Sequence, residues 1–220
     1  EDGIRDYKVT GVQTCSLPIY LHRILAVMSE RGADCVSMEV SSIAIREERV
    51  NDVTFDTVGF TGLSQDHLDY HTTMDDYFAA KSELFREPLA RRGIVVVDSK
   101  WGRKLAEIAE IPVTTLSVES DVGDWTVSRR PFGYELRGEE SVVLELPVNT
   151  DFAAANAALT LLISRQQGVS LQDAVEAVTT VRIPGRMESV ARAGGVNFVV
   201  DYRSEEHTSE LQSPCNLVCR

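Results

Sequence analysis

The stretch of residues 60–85, FTGLSQDHLDYHTTMDDYFAAKSELF, constrains the fold more than any other part of the chain. It begins as the end of a strand, continues as a loop rich in acids and histidines, and then opens a helix. A threonine at Thr72 or Thr73 is followed by two acids, which is typical of a helix N-terminus because a side-chain oxygen accepts the free N–H groups there. The stretch therefore predicts a strand, a loop and a helix in succession.

One face of that helix carries three apolar residues and a lysine. They are Met74, Phe78, Lys81 and Phe85, at helical spacing. Burying an ammonium group costs several kcal/mol unless it is paired or neutralised. Lys81 can extend along its stem to water, which the residues alone favour, or it can pair with an acid. It can also lose its proton, since desolvation lowers the pKa of a lysine, and the neutral amine can then take up carbon dioxide as a carbamate.

Composition excludes several classes of protein. A chain of 220 residues with 43% hydrophobic and 25% charged residues can bury one sizeable core. No apolar run approaches the ~20 residues that a membrane span needs. The net charge of −12 argues against a nucleic-acid binder, whose affinity rests on a basic surface. An anionic substrate must then be held by local cations or by a metal ion.

The cysteines indicate a reducing environment. They are Cys15, Cys35, Cys215 and Cys219. The pair near the C-terminus lacks the histidine spacing of a zinc site. We expect a cytoplasmic protein without disulfides.

Strands and helices alternate over most of the chain. A helix over residues 20–31 ends at Gly32, where glycine commonly follows a helix. We predict a helix through Leu105, Ile108 and Ala109, and strands over 35–40, 55–61, 94–98 and 113–118. This alternation predicts an α/β fold with a mostly parallel, doubly wound sheet.

Residues 125–147 differ in character from the rest. Short alternating runs, WTVS, YELR and VVLELP, are separated by proline and glycine, which predicts a small antiparallel sheet appended to the main one. A strongly apolar helix over 151–167 stops at Gly168, and Ser170 with Asp173 begins another helix.

Several motifs stand in the order and spacing of a known family. They are MEVSS at 38–42, DHLDYH at 66–71, AAK at 79–81 and GRME at 185–188. Over residues 20–202 the chain resembles the central domain of the Mur ligases, and most closely the branch that adds the third amino acid to UDP-N-acetylmuramoyl-L-alanyl-D-glutamate. The resemblance implies an ATP-dependent amide ligase of peptidoglycan synthesis, with a role in cell-wall biogenesis, cell shape and cell division.

This resemblance begins and ends abruptly. Residues 1–19 and 203–220 look like translated sequencing-adapter read-through, so we predict non-native tails there. Residues 20–190 are predicted to be part of a central ligase domain, and 191–202 the start of a C-terminal domain. The sequence contains no Gly-Lys-Thr loop whose N–H groups could cradle phosphates, so we expect the chain as given to be an inactive fragment.

A metal site is the first implication of the resemblance. It implies that Glu39, His67 and a carbamylated Lys81 bind Mg²⁺, with His67 and Lys81 essential to catalysis. Glu39 ends the predicted strand over 35–40, and ligands of open α/β sheets bind beyond the carboxyl ends of strands. Carbamylation turns a cation that repels metal into an anion with two oxygens, the ligand type that magnesium prefers. Without the resemblance, a strand-end glutamate facing water and a surface histidine are the simpler interpretations.

The resemblance also implies a substrate site. Ser41, Glu47, Arg49 and Lys81 are expected to contact the UDP-N-acetylmuramoyl dipeptide. The fork of Arg49 can bond both oxygens of a carboxylate at once. Glu47 stands where the family has a glutamine, and Ile43 where it commonly has a histidine. We interpret the other polar residues of the 60–85 loop as turn and cap residues: Asp66, Asp69 and His71.

A nucleotide site is the third implication. Asn156 is expected near the adenine of ATP, Arg186 near the phosphates and Asp201 near the ribose. Taken alone, Asn156 is a cap or surface amide and Arg186 belongs to an unremarkable turn.

Other functions stay open at this point. The chain can belong to another Mur ligase, to a ligase like folylpolyglutamate synthase, or to a non-catalytic nucleotide-binding module. In the favoured reading the co-substrate is an amino acid, L-lysine or meso-diaminopimelate. We expect a monomer with no nucleic-acid or membrane partner.

Overall fold

The computed structural model describes residues 17–64, 70–118, 120–146, 150–181, 188–193, 196–201 and 216–219, with side chains over the described parts of 19–181. The chain divides into two compact units, Glu1–Thr126 and Val127–Arg220. Among the helices described, none combines the length and the apolarity needed to cross a bilayer.

The first unit contains a parallel sheet with its helices. Its elements are α1 (Leu17–Glu30), α2 (Ser42–Arg46), β1 (Val58–Phe60), α3 (Met74–Ser82), a 3-10 turn (Glu83–Phe85), β2 (Gly93–Val96), α4 (Lys100–Ile108) and β3 (Val113–Ser117), with β4 (Trp125–Arg130) continuing into the second unit. Strands β1, β2 and β3 pair in parallel in that order. The start of β4 adds to β3, with Leu116 opposite Trp125. All residues of β2 are buried, as expected for a central parallel strand.

The core of the first unit is built from aromatic and aliphatic side chains of these elements. The Phe60 and Phe85 rings meet edge to face with centroids 6.3 Å apart. Phe78 packs against Trp101 at 5.0 Å. Helix α4 approaches β2 so closely that a Cβ atom at Gly102 would overlap the carbonyl group of Val96. Glycine is therefore required at this crossing for steric reasons.

The predicted first helix is confirmed as α1. It ends at Glu30 and is followed by Gly32, whose φ of 83° is the left-handed conformation that glycine adopts most readily. The N–H of Gly32 donates to the carbonyl of Ser29 at 2.9 Å, and that of Ala33 to the carbonyl of Met28 at 3.0 Å. These are the two bonds of a Schellman motif, so the glycine ends the helix as the sequence indicated.

The predicted strand over 35–40 is wrong. These residues form no regular element, and residues 35–39 are exposed. A strand persists only where a neighbour satisfies its backbone N–H and C=O groups, and no described strand pairs with this run. The strand predicted over 55–61 is confirmed in a shorter form as β1, with Phe55 making an isolated parallel bridge to Ala90.

The second unit combines antiparallel strands with two helices. After the end of β4 come β5 (Gly133–Arg137), β6 (Ser141–Leu144), α5 (Asp151–Gln166), α6 (Leu171–Thr180), β7 (Glu188–Ala193), β8 (Val196–Asp201) and β9 (Asn216–Cys219). Strands β5 and β6 are antiparallel, and β7, β8 and β9 form a separate antiparallel sheet. Thr150 and Ser170 cap α5 and α6 through their side chains.

The predicted fold class is confirmed. Parallel pairings join β1, β2, β3 and the start of β4, and the antiparallel pairing of β5 with β6 follows, as expected for an α/β protein. One detail differs, because the WTVS run pairs in parallel with β3. Alternation of apolar and polar residues indicates that one face of a strand is exposed to solvent. It does not indicate whether the neighbouring strand runs parallel or antiparallel. The predicted domain boundaries at 20, 190 and 202 stay predictions.

Candidate functional site

Helix α2 begins at the residue that follows Ser41. Ser41 has the extended conformation of an N-cap, with φ −78° and ψ 155°, and its hydroxyl accepts the N–H of Ala44 at 3.1 Å. Serine is among the preferred residues at this position because its side chain satisfies a helix N–H group that lacks a partner. Ser41, which is predicted to contact the substrate, thus also caps the N-terminus of α2.

Arg49 and Glu47 form an ion pair just after α2. Glu47 is the C-cap of the helix, and the chain then turns at Glu48, whose φ is 55°. The carboxylate of Glu47 holds the Nη2 group of Arg49. The Nε atom of Arg49 is buried and makes no hydrogen bond within the described structure. Arg49 therefore keeps one buried donor that an additional oxygen ligand could satisfy.

Glu39 lies in the exposed, irregular segment that leads to α2. His67, which the family resemblance pairs with it as a metal ligand, lies outside the described residues. In the part of the chain that the structure covers, no three His, Cys, Asp or Glu side chains form a group suited to a metal ion. Glu39 and Lys81 are thus the only predicted metal ligands whose positions are described.

Lys81 lies in the last turn of α3. The predicted start of that helix is confirmed, because the hydroxyl of Thr73 accepts the N–H of Asp76 at 3.1 Å. Phe78 is 3% exposed, whereas Lys81 is only partly buried. Its ammonium nitrogen lies 5.4 Å from the centroid of the Tyr77 ring, within cation–π range. Lys81 therefore sits at the edge of the apolar face.

His71 is a residue that sequence reasoning missed. It was interpreted as a turn or cap residue, but its side chain is 1% exposed. Its Nε2 atom lies 2.8 Å from the hydroxyl oxygen of Ser42, which is also fully buried. Its ring stacks on Tyr77 with centroids 5.0 Å apart and an angle of 21°. No periodicity marks His71, since its partner Ser42 is distant in sequence.

Asp76 joins α2 and α3. Its Oδ2 atom lies 3.4 Å from Nδ1 of His71, and its Oδ1 atom accepts from Arg46 of α2 at 2.9 Å. Arg46 also bonds Glu83 at 3.1 Å. These pairs are partly exposed, so each stabilises by only about 0–1 kcal/mol. Together with the buried Ser42–His71 bond they fix the two helices against each other.

A second polar cluster lies at the carboxyl ends of β2 and β3. The Asp98 carboxylate accepts the N–H of Val118 at 2.9 Å and the hydroxyl of Ser117 at 2.5 Å. Ser117 is fully buried and also accepts the N–H of Ser120 at 3.1 Å. Asp98 thus ties the ends of two neighbouring strands together.

The predicted nucleotide residues fall in the second unit. Asn156 is exposed on α5, and its backbone carbonyl accepts the hydroxyl of Thr160 at 2.8 Å. Asp201 is the last residue of β8, with its side chain outside the described part. Arg186 lies outside the described residues.

Comparisons with known proteins agree with the motifs. Residues 4–164 match the model of the Mur ligase middle domain. The chain is 39% identical to a UDP-N-acetylmuramyl-tripeptide synthetase of Leifsonia xyli subsp. xyli, an alignment covering 92% of this chain and 42% of that protein. It is 35% identical to a UDP-N-acetylmuramoyl-L-alanyl-D-glutamate–2,6-diaminopimelate ligase of Streptomyces coelicolor, over 92% of this chain and 42% of the relative.

A solved structure shares the fold. It is that of a UDP-N-acetylmuramoyl-L-alanyl-D-glutamate–2,6-diaminopimelate ligase, with a TM-score of 0.72 and 24% identity over 80% of this chain and 38% of that one. The chain thus spans about two fifths of the length of the relatives that it matches.

Proposed function

Because the chain belongs to the Mur ligase family, we propose that it works as the middle domain of an ATP-dependent amide ligase of peptidoglycan precursor synthesis. The substrate is UDP-N-acetylmuramoyl-L-alanyl-D-glutamate, to which the enzyme adds the third amino acid of the stem peptide. The names of the relatives favour 2,6-diaminopimelate as that amino acid, with L-lysine as the other candidate.

The reaction is formation of one amide bond at the expense of ATP. The D-glutamyl carboxylate attacks the γ-phosphorus of ATP, and ADP leaves as an acyl phosphate forms. The neutral amine of the amino acid then attacks the acyl carbon, and inorganic phosphate leaves with the bonding electron pair. The amine loses a proton as the amide forms. The protein's task is to hold these anionic groups in line and to exclude water.

The observation that carries the proposal is the buried Nε donor of Arg49, which makes no hydrogen bond in the described structure. Glu47 orients the guanidinium from one side and leaves that donor for another oxygen. A substrate carboxylate is such a ligand, and arginine binds carboxylates with two parallel bonds. Ser41, at the start of the same helix, is proposed to contact the substrate as well.

Magnesium fits the donor set proposed for this site. Glu39 offers an exposed carboxylate, and a carbamate on the partly exposed Lys81 would add two oxygens. With His67, these residues would hold the ion, which supplies charge neutralisation between the substrate carboxylate and the ATP phosphates. The carbamate forms when the neutral Lys81 amine bonds to carbon dioxide and releases a proton.

The remaining assignments are proposals of the same kind. Asn156, Arg186 and Asp201 are proposed to contact ATP. We propose a cytoplasmic monomer, because ATP and a UDP-linked precursor are its substrates. No nucleic-acid partner is proposed, in line with the net charge of −12.

The test is Lys81→Ala in a complete ligase that carries this segment. Phosphate release that requires ATP, the UDP-muramoyl dipeptide and the amino acid together is measured for both proteins. We expect the unsubstituted enzyme to turn over and Lys81→Ala to lose turnover, with partial recovery when a short carboxylate is added. The matched control is Lys100→Ala, an exposed lysine of α4, which should leave the rate unchanged. Full activity of Lys81→Ala would reject the role of this lysine.

A further inference from the structure

Hydrogen-bond contacts join Ser42, His71 and Asp76 in series, with the His71 ring in the middle. A carboxylate only accepts, so the contact between Asp76 and Nδ1 of His71 at 3.4 Å requires the proton on Nδ1. On the other side of the ring, Nε2 lies 2.8 Å from the hydroxyl oxygen of Ser42. The ring therefore links Ser42 of α2 to Asp76 of α3 through both of its nitrogens.

This order of groups is also that of a hydrolytic triad, in which a serine is activated by a histidine held by an aspartate. Burial excludes that role here. Ser42 is 0% exposed and His71 is 1% exposed, so no substrate can reach the hydroxyl. The function of these three hydrogen-bonded residues must therefore be to hold other residues in place.

The two residues that contact the His71 ring here, Ser42 and Tyr77, each adjoin a residue of the proposed ligase site. Ser42 directly follows Ser41, and both lie at the start of α2. On the other side, the His71 ring stacks on Tyr77, and the same Tyr77 ring lies 5.4 Å from the ammonium of Lys81. A continuous series of contacts thus runs from the substrate side, at Ser41, to Lys81.

We propose that His71 is a positioning residue of the ligase reaction, which fixes the α2 substrate segment relative to Lys81 through Ser42 on one side and Tyr77 on the other. The inference rests on the proposed function and deepens it. His71 touches no reacting atom in this scheme. Its removal should lower the rate by misplacing Lys81 and weaken substrate binding by releasing the start of α2.

The kinetic test uses the complete enzyme with His71→Phe, which keeps an aromatic ring beside Tyr77 but has no hydrogen-bonding nitrogen. We expect kcat to fall about 10- to 100-fold, because a displacement of ~1 Å at a positioned group costs on the order of 100-fold in rate. The KM for the UDP-muramoyl dipeptide should rise, and the KM for ATP should stay unchanged. Ser42→Ala, which removes the other half of the bond, should change the same two parameters by a smaller factor.

The control is His22→Gln. His22 is a partly exposed histidine of α1 whose Nε2 atom bonds the carbonyl of Asn51 at 3.0 Å, so the control also replaces a hydrogen-bonded histidine. It should leave kcat and both KM values unchanged. His71→Phe with wild-type kinetics would overturn the inference.

A spectroscopic test does not depend on a variant that folds. In the unsubstituted enzyme with ¹⁵N-labelled histidine, the side chain of His71 should show a protonated Nδ1 whose proton is held in one place. An unprotonated Nδ1, or rapid exchange of that proton between the two nitrogens, would overturn the inference. A wild-type enzyme that forms no amide would overturn both proposals, whereas normal turnover with an unaffected His71→Phe would overturn this one alone.

Discussion

The carboxylate of Glu47 holds the guanidinium of Arg49, so an acid of this protein occupies one side of the cation proposed to bind an acidic substrate. The two side chains remain 25% and 34% exposed, which leaves the pair open to solvent and to ligands. The pair therefore orients Arg49 and at the same time opposes the approach of a second carboxylate.

Glu47→Gln should strengthen substrate binding. The amide keeps the size of the side chain and a carbonyl oxygen for Arg49, but removes a negative charge beside the incoming carboxylate. We expect the KM for the UDP-muramoyl dipeptide to fall about two- to fivefold, the equivalent of ~0.5–1 kcal/mol for a partly exposed charge pair. The measurement is steady-state kinetics of the complete enzyme. Glu48→Gln, at the exposed neighbour, should have no effect, and a raised KM for Glu47→Gln contradicts the expectation.

Asp98→Ala should destabilise the first unit. The substitution removes the acceptor of the Val118 N–H and of the buried Ser117 hydroxyl. The Ser117 hydroxyl keeps its contact with Ser120 at 2.9 Å. Leaving the Val118 N–H without its acceptor costs about 1–3 kcal/mol in the free energy of unfolding. Urea denaturation measures the loss as a lower midpoint at an unchanged slope. The exposed Asp121→Ala serves as the control, and equal midpoints for the two variants would show that the Asp98 cluster contributes nothing.

Gly102→Ala should also destabilise, although alanine is the better helix former. The gain in helix propensity is at most ~1 kcal/mol. The new Cβ would overlap the Val96 carbonyl group, and the strain of overpacking costs about 1–3 kcal/mol. We expect a lower melting temperature, whereas Glu107→Ala on the exposed side of α4 should leave it unchanged or raise it. A more stable Gly102→Ala variant would mean that α4 and β2 can move apart.

The stability of the second unit should fall at alkaline pH because Tyr134 loses its proton there. Burial, the largest cause, raises the pKa of its phenol above the ordinary value near 10.0, and the hydrogen bond to Asp151 acts in the same direction. The folded state thus favours the neutral phenol. The stability that Tyr134 contributes is therefore complete below the pKa of the phenol in the unfolded state, and it is lost as the pH rises through the pKa in the folded state.

The phenolate absorbance should therefore show a titration step above the ordinary tyrosine pKa of 10.0 that belongs to Tyr134. Tyr134→Phe should remove that late step and flatten the fall in unfolding free energy above about pH 10. Tyr20→Phe, at an exposed tyrosine, is the control and should change neither property. A late step that persists in Tyr134→Phe would assign it to another residue.

Local signals predicted most of the helices correctly. Thr73, Gly32 and Ser170 each act within a few residues through side-chain caps or left-handed backbone, so their effect is readable from the neighbouring sequence. The short helix α2, around which Ser41, Glu47 and Arg49 lie, was not predicted from the sequence.

Features that depend on distant partners could not be predicted. Residues 35–40 have the apolar character of a strand, but strand formation depends on a neighbour that the local sequence does not contain. The burial of His71 depends on Ser42, which lies on α2 and 29 residues earlier in the chain. The partial exposure of Lys81, by contrast, agrees with the outcome that the residues alone favoured, in which its stem extends to water.

The carboxylate of Asp76 faces Arg46 with one oxygen and His71 with the other. Because both oxygens belong to one rigid group, a torsion that shortens one contact must alter the second. The orientation of a guanidinium at the protein surface and the hydrogen bonding of an imidazole in the interior thus depend on the same side-chain torsion of Asp76.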